Sequence, residues 1–180
     1  MKDFLLLANV NAITYKEFFP LLKDNNVRLG YTPTSGGMDM YAGPNFDPGK
    51  KKVKYDENGN MIVNIEGVCW YTTLPTPNKR KLILTKKYHH ELYPHYDHYR
   101  AIYVDKVRNI PKDYDCFMAV PVSILQYDLT NFVIADARDH TNVERLKNKS
   151  TQLIKDGDGT INGKAKYCRV LIRIKRSWEK

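Results

Sequence analysis

The chain has 180 residues, 42% of them hydrophobic, and a formal net charge of +9, so it can bury a core and carries the excess that a polyanion such as nucleic acid would meet. Its three cysteines, Cys69, Cys116 and Cys168, form no C-x-x-C pair, which excludes a disulfide framework and a zinc ribbon. Each lies in an apolar run and is expected to be a buried free thiol in a reducing compartment, the cytoplasm.

Phe4 to Ala8 reads as a short strand buried on both faces, because its apolar run is uninterrupted. That run is too short for a signal peptide, and no window approaches the ~20 apolar residues of a membrane span. A soluble, untargeted protein is expected. Thr14-Tyr15-Lys16-Glu17 fits the capping box, which predicts a helix over about Tyr15 to Lys23 with Phe18, Leu21 and Leu22 inward. Val27 to Tyr31 reads as the next strand. Strand, helix and strand predict a βαβ unit within a parallel sheet.

Pro33 to Gly49 holds four glycines and three prolines and reads as a long loop. It runs into the basic cluster Lys50, Lys51, Lys52 and Lys54. Asn58-Gly59 marks a hairpin turn between arms Lys52 to Asp56 and Met61 to Ile65, since both turn residues accept positive φ. Val68 to Thr73 is the next predicted strand. Further strands are expected at Lys81 to Thr85, Ala101 to Val104, Cys116 to Val120, Phe132 to Ala135 and Tyr167 to Ile174. Pro121 to Leu125 is a short helical start, and Asn162-Gly163 a second turn. Composition changes near Tyr31, from a sheet fragment to a mixed, basic, turn-rich remainder.

Several stretches, in order, resemble the EcoRI-type adenine-specific DNA methyltransferase family. They are Leu7-Ala8-Asn9-Val10-Asn11-Ala12-Ile13-Thr14-Tyr15-Lys16-Glu17, Arg28-Leu29-Gly30-Tyr31 and Val68-Cys69-Trp70-Tyr71-Thr72-Thr73-Leu74. Tyr93-Pro94-His95-Tyr96-Asp97-His98-Tyr99, Ile110-Pro111-Lys112-Asp113-Tyr114-Asp115 and Met118-Ala119-Val120-Pro121 follow. Asn162-Gly163-Lys164-Ala165-Lys166-Tyr167-Cys168-Arg169-Val170-Leu171-Ile172-Arg173 closes the series.

The resemblance implies an α/β fold: a partial Rossmann-like methyltransferase sheet over residues 1–76 joined to an α+β target-recognition lobe over residues 77–180. In it, Val68 to Thr73 is similar to the strand of the closing antiparallel hairpin. The family's cofactor is S-adenosylmethionine, and its chemistry uses a glycine-containing loop and an N-P-P-F-type tetrapeptide. Neither is found here, and no Asn-Pro-Pro or Asp-Pro-Pro occurs anywhere in the chain.

Lys50, Lys51, Lys52 and Lys54 beside a glycine-rich loop are candidates for phosphate contact. Lys79, Arg80 and Lys81, then Lys86 and Lys87 beside Tyr88, repeat that pattern; a solvated face is the plain alternative. Given the resemblance, Trp70 and Tyr71 become candidates for stacking on a flipped base, only one of which can face a pocket because they alternate on a strand. Burial in a core is the commoner fate of such residues. Asn9 and Asn11 follow a strand's C-terminal end, where open α/β sheets bind ligands, and are candidates for the active-site rim, or else a turn and cap. His89-His90-Glu91 with His95 and His98 invites a metal reading, but no H-E-x-x-H pattern supports it. Asp156-Gly157-Asp158-Gly159 starts like a calcium loop and lacks the closing glutamate. No metal is expected.

The function expected is the DNA-binding, target-recognition part of an adenine-specific (N6) DNA methyltransferase of a restriction-modification type, inactive alone. The alternatives are a non-catalytic DNA-binding regulator or anti-restriction protein of the same descent, and a metal-dependent nuclease. Double-stranded DNA is the expected partner. An incomplete sheet would expose an edge, which leads to the further expectation of a separate chain carrying the catalytic half, or of a second copy.

Overall fold

A computed structural model of the chain describes residues 2–15, 17–32, 34, 37–49, 53–76, 80–135, 153–154 and 159–179. They fall into two compact units, Met1–Thr76 and Pro77–Lys180. The class is mixed α/β with much more sheet than helix.

The first unit begins with β1 (Leu5–Asn9), a 3-10 turn (Val10–Thr14), α1 (Phe19–Lys23) and β2 (Arg28–Leu29). The helix is shorter than its sequence predicts. Thr14 does not cap it: its hydroxyl donates to the Asn11 carbonyl at 2.7 Å. Pro20 explains the shift. A helix started at Thr14 would place Pro20 in its interior, where the ring clashes with the carbonyl four residues back. Starting at Phe19 puts the proline in the first turn, where it is tolerated. Phe19 and Leu22 are buried, with Ile13, Val27 and Leu29.

The third strand of this sheet comes from further along the chain. β6 (Val68–Thr72) lies between β1 and β2 and runs antiparallel to both. The expected parallel βαβ pair is therefore split: β1 and β2 share a direction but do not touch. β1 is also not covered on both faces, since Leu5 is 61% and Leu6 53% exposed. Its apolar run marks an edge strand rather than a central one.

A second small sheet has the order β3-β5-β4, from β3 (Met38–Tyr41), β4 (Val53–Tyr55) and β5 (Met61–Ile65). β3 falls inside the segment that reads as a loop. Its Met-Asp-Met-Tyr alternation is a strand pattern hidden by the surrounding glycines and prolines. The hairpin β4–β5 forms where expected, but only Gly59 of its Asn-Gly pair has positive φ. The loop is the three-residue kind with one left-handed glycine. The Asp56 carboxylate ties it by accepting the Asn58 and Asn60 N–H groups at 2.9 and 2.8 Å.

The second unit is built on a five-stranded sheet containing β7 (Ala101–Tyr103), β8 (Phe117–Pro121), β9 (Phe132–Ile134), β10 (Leu153–Ile154) and β13 (Arg169–Ile174). β7 and β8 are parallel, and β8 and β13 antiparallel. On its other edge β13 pairs with β10 near its start and with β9 near its end. One row across the sheet is Ile102, Met118 and Ile172, each 0% exposed. The adjacent row is Tyr103, Ala119 and Leu171, so the two faces alternate as strand geometry requires. Tyr96, Ala101, Phe117, Ala135 and Ile161 complete the core on the second face.

A separate hairpin, β11 (Thr160–Ile161) and β12 (Lys164–Ala165), turns at Asn162-Gly163, whose φ values of 50° and 71° make it the left-handed turn the sequence announces. Lys81 to Thr85 is not a strand; the segment makes only isolated parallel bridges, Arg80 to Tyr127 and Lys86 to Pro111. Pro121 to Leu125 contributes to a 3-10 turn at Val122–Gln126. Of the three cysteines only Cys69 is buried; Cys116 is exposed and Cys168 intermediate, which corrects the expectation of three buried thiols. Among the described residues no helix is long and apolar enough to cross a membrane.

Candidate nucleic-acid interface

The aromatic pair on β6 divides as strand alternation requires. Tyr71 is 1% exposed. Its hydroxyl donates to the Asn9 carbonyl at 3.0 Å, and its ring meets Phe18 edge-on at 5.0 Å between centroids. Burial, before any other cause, pushes the Tyr71 hydroxyl far above the usual phenol range. Tyr71 is thus occupied in holding the turn after β1 onto β6. Trp70, on the opposite face, is partly exposed. Its Cβ sits so close to Gly30 that a Cβ added there would lie 2.6 Å away, so Gly30 lets β2 approach this ring.

Asn9 and Asn11 are both exposed. The Asn9 Oδ1 accepts the Asn11 N–H at 2.8 Å, which makes Asn9 the cap of the 3-10 turn.

Of the candidate phosphate-contacting residues, Lys50, Lys51, Lys52 and Lys79 lie outside the described residues. Lys54 is described and exposed, and its ammonium pairs with Asp39 at 3.2 Å. The Asn64 amide also donates to Asp39, at 2.8 Å. That hydrogen bond first, then the one from Lys54, holds the Asp39 carboxyl below its usual value. A carboxylate therefore already answers the Lys54 charge.

Arg80, Lys81, Lys86 and Lys87 are exposed in the second unit. They are carried on a segment held at both ends by backbone hydrogen bonds. The Arg80 carbonyl accepts the Asp128 N–H and the Lys86 carbonyl the Lys112 N–H, each at 2.9 Å. Tyr88 anchors the end of this segment, stacked on Tyr93 at 5.7 Å and tilted against Tyr114 at 4.6 Å. Burial pushes the Tyr114 hydroxyl up to about 12, so it remains a neutral donor throughout the physiological range. Lys86, Lys87 and Lys112 thus sit exposed on a backbone fixed by hydrogen bonds and aromatic packing. Such positioning lets basic side chains meet phosphates at reduced entropic cost.

The histidine stretch is exposed at His89, His90, His95 and His98. His95 Nε2 lies 3.4 Å from the Tyr88 hydroxyl. Among the described residues no three His, Cys, Asp or Glu side chains converge as a metal would require. Asp156 and Asp158 lie outside the described residues.

Sequence reasoning missed a second basic and aromatic cluster. Arg169 is only 8% exposed although charged. Its Nη2 donates to the Tyr103 hydroxyl at 2.6 Å and its Nη1 to the Cys168 carbonyl at 3.1 Å. The guanidinium also lies 4.8 Å from the Tyr103 ring centroid, and Lys166 Nζ lies 5.6 Å from it. The available signal was an arginine opening a strand of buried apolar residues, where a charge needs a reason.

The family described as adenine-specific methyltransferase EcoRI matches residues 1–175. The type II methyltransferase M.EcoRI of Escherichia coli is 35% identical over 97% of the chain and 51% of its own length. M.MgeORF184P of Mycoplasma genitalium is 31% identical over 96% of the chain and 57% of its own. M.MpnI of Mycoplasma pneumoniae is 29% identical over 98% and 58%. The chain therefore spans little more than half the length of these curated relatives. No solved structure matches it.

Proposed function

The chain belongs to the adenine-specific methyltransferase EcoRI family, and on that premise we propose that it is the DNA-engaging, target-recognition part of an adenine-specific (N6) DNA methyltransferase of a restriction-modification type. The observation that carries the reading is a family match running through residues 1–175, and so across both units. The net charge of +9 favours the same partner. The order β1-β6-β2, with β6 antiparallel to both neighbours, is compatible with the closing antiparallel strand that the resemblance implies for Val68 to Thr73.

In this reading the second unit reads the target, with Lys81, Lys86 and Lys87 on phosphates. Trp70, the partly exposed member of its pair, stacks on the flipped adenine. Asn9 and Asn11 line the rim of the site.

Membership in a methyltransferase family implies S-adenosylmethionine. The described residues do not compose a site for it. At Gly30 and Gly37 an added Cβ would collide with Trp70 and Asn64, so these two glycines serve close packing between protein groups rather than a cradle for a cofactor. The cofactor loop and the tetrapeptide that grips the target amino group would come from outside these 180 residues, either from a separate chain or from the rest of a longer one.

The test is fluorescence anisotropy with random-sequence duplex across a salt series. Expected is measurable binding at low salt, with an affinity that falls steeply as salt rises. Absence of binding at the lowest salt overturns the reading. A methyl-transfer assay on the same DNA should give no product from the chain alone. Product should appear when a family member's cofactor-binding segment is supplied in trans.

A further inference from the structure

Among the described residues, two buried polar groups of the second unit have no hydrogen-bond partner, and both side chains lie against Tyr103. One is the Nε–H of Arg169, the other the hydroxyl of Tyr96. Tyr96 is 5% exposed, and its ring is 6.1 Å from that of Tyr103, the tyrosine that Arg169 grips. The Tyr96 hydroxyl also feels the Arg169 charge.

Leaving one such donor unsatisfied inside a protein is costly, and leaving a guanidinium without a counter-charge costs more. Arg169 has five N–H groups; its described hydrogen bonds use Nη1 and Nη2 and go to neutral oxygens. Its described contacts include no carboxylate. The nearby Asp97 is already committed, since its two oxygens accept the N–H groups of Asn162 and Gly163. Lys166, beside the same Tyr103 ring, adds a second cation to the neighbourhood.

Both groups can donate, and the Arg169 charge acts on the Tyr96 hydroxyl while Lys166 lies over the Tyr103 ring that both side chains contact. A partner that suits both is an acceptor bearing negative charge. A water molecule would satisfy a donor and leave the charge uncompensated. A phosphate oxygen would answer both, in the charge-assisted geometry that arginine favours.

We propose that Arg169, Tyr96 and Tyr103 form a built anion site that takes one phosphodiester group of the bound DNA, with Lys166 as a flanking cation. The phosphate would anchor the lobe at a fixed register along the duplex, and Arg169 would contribute affinity rather than sequence discrimination. This inference rests on the DNA-engaging reading above for the source of the phosphate, but not for the site itself.

The experiment uses the full chain, uniformly labelled with nitrogen-15, and follows the Arg169 Nε–H resonance, assigned by its loss in Arg169→Lys. Random-sequence duplex and inorganic phosphate are titrated separately. Duplex affinity is then measured across a salt series for the wild type, Arg169→Lys, Arg169→Gln and Tyr96→Phe. The expected result is a saturable Nε–H shift with duplex. Arg169→Gln should lower the salt slope by about 0.9. Arg169→Lys, which keeps the charge, should keep the slope while binding about tenfold more weakly. Tyr96→Phe, the variant least able to disturb the fold, should bind more weakly with its thermal midpoint unchanged or raised.

If the wild type binds duplex but the Nε–H signal stays still and the slopes agree, the inference is overturned and the proposed function stands. If the wild type binds no duplex, the proposed function and the DNA source both fall. The inorganic phosphate arm then decides the site: a saturable shift upholds an anion site, and no shift overturns it.

Discussion

The Asp97 carboxylate accepts the backbone N–H of Gly163 at 3.0 Å, and that of Asn162 at 2.9 Å, so a loop residue holds the tip of the β11–β12 hairpin from 65 positions away. Two consecutive left-handed residues aim their N–H groups at one point, which makes a small nest for an anion. Here the anion is part of the chain.

This arrangement predicts an acid-sensitive hairpin. Hydrogen bonds to the charged form, first from Gly163, hold the Asp97 carboxyl below its ordinary 3.8. The group is depressed in the folded state, so its stabilisation is fully present above that ordinary value and is lost as pH falls through the lower folded one. The Gly163 amide resonance should therefore titrate with a midpoint under 3.8. Asp97→Asn should speed amide exchange across Thr160 to Ala165 at neutral pH while leaving β7 and β8 protected. A midpoint at or above the ordinary value, or unchanged exchange in the variant, would show that the contact does not hold the turn.

Much of this hairpin was legible in the sequence, because Asn-Gly is a local signal and turn chemistry acts over four residues. The strands at Ala101, Phe117, Phe132 and Arg169 were legible for the same reason, since a short continuous apolar run is a local signal too. What could not be read is pairing. Leu5 and Leu6 look the same whether a strand is central or at an edge, and only the arrival of Val68–Thr72 between β1 and β2 decides the matter. Lys81 to Thr85 has strand composition but finds only isolated bridges, as nonlocal partners override propensity. At the site, the lysines advertised themselves by clustering. Arg169 opens a run of apolar residues, and the tyrosine that receives its hydrogen bond, Tyr103, lies 66 positions earlier.

Tyr71 should matter to folding and not to DNA. Its hydroxyl is buried and joins β6 to the turn after β1 through Asn9. Tyr71→Phe removes the donor and leaves that carbonyl with less satisfaction, which should cost about 1 kcal/mol in urea unfolding. The salt dependence of duplex binding should not change. Trp70→Ala separates the roles on one strand: if Trp70 stacks on an extruded base, the variant should lose the fluorescence rise of a 2-aminopurine placed at the target adenine, assayed with the cofactor-binding segment present. A stability loss no larger than that of an Ile→Val change for Tyr71→Phe is compatible with this account. A changed DNA slope is not.

Tyr96 should show the opposite sign. The Tyr96 hydroxyl is buried with no partner among the described residues, which is a standing cost, so Tyr96→Phe removes a penalty along with an atom. The variant should unfold at higher denaturant, by about 1 kcal/mol when DNA is absent. Added duplex should narrow or reverse that advantage, because only the wild type gains the missing partner. Equal gains with and without duplex would mean that the hydroxyl is never satisfied in the complex.

The exposed lysines differ in what already balances them, and that difference predicts a ranking. Lys54 faces Asp39 at 3.2 Å, and the Asn64 amide keeps that carboxylate ionised and in place. Part of any phosphate's attraction to Lys54 is thus cancelled before DNA arrives, although a pair this exposed contributes little to stability. Lys86 and Lys87 stand exposed on a segment fixed by the Lys112 N–H bond and by the packing of Tyr88. Charge reversal at Lys86 and Lys87 together should flatten the plot of log affinity against log salt by about two phosphate contacts' worth, near 1.8. Reversal at Lys54 alone should flatten it by clearly less than one. The two measurements share a duplex, a buffer and a readout, so their ratio is independent of the absolute affinity. An equal loss per lysine in the two variants would mean that Asp39 does not shield Lys54, and that the first unit's small sheet engages the backbone as directly as the second unit does.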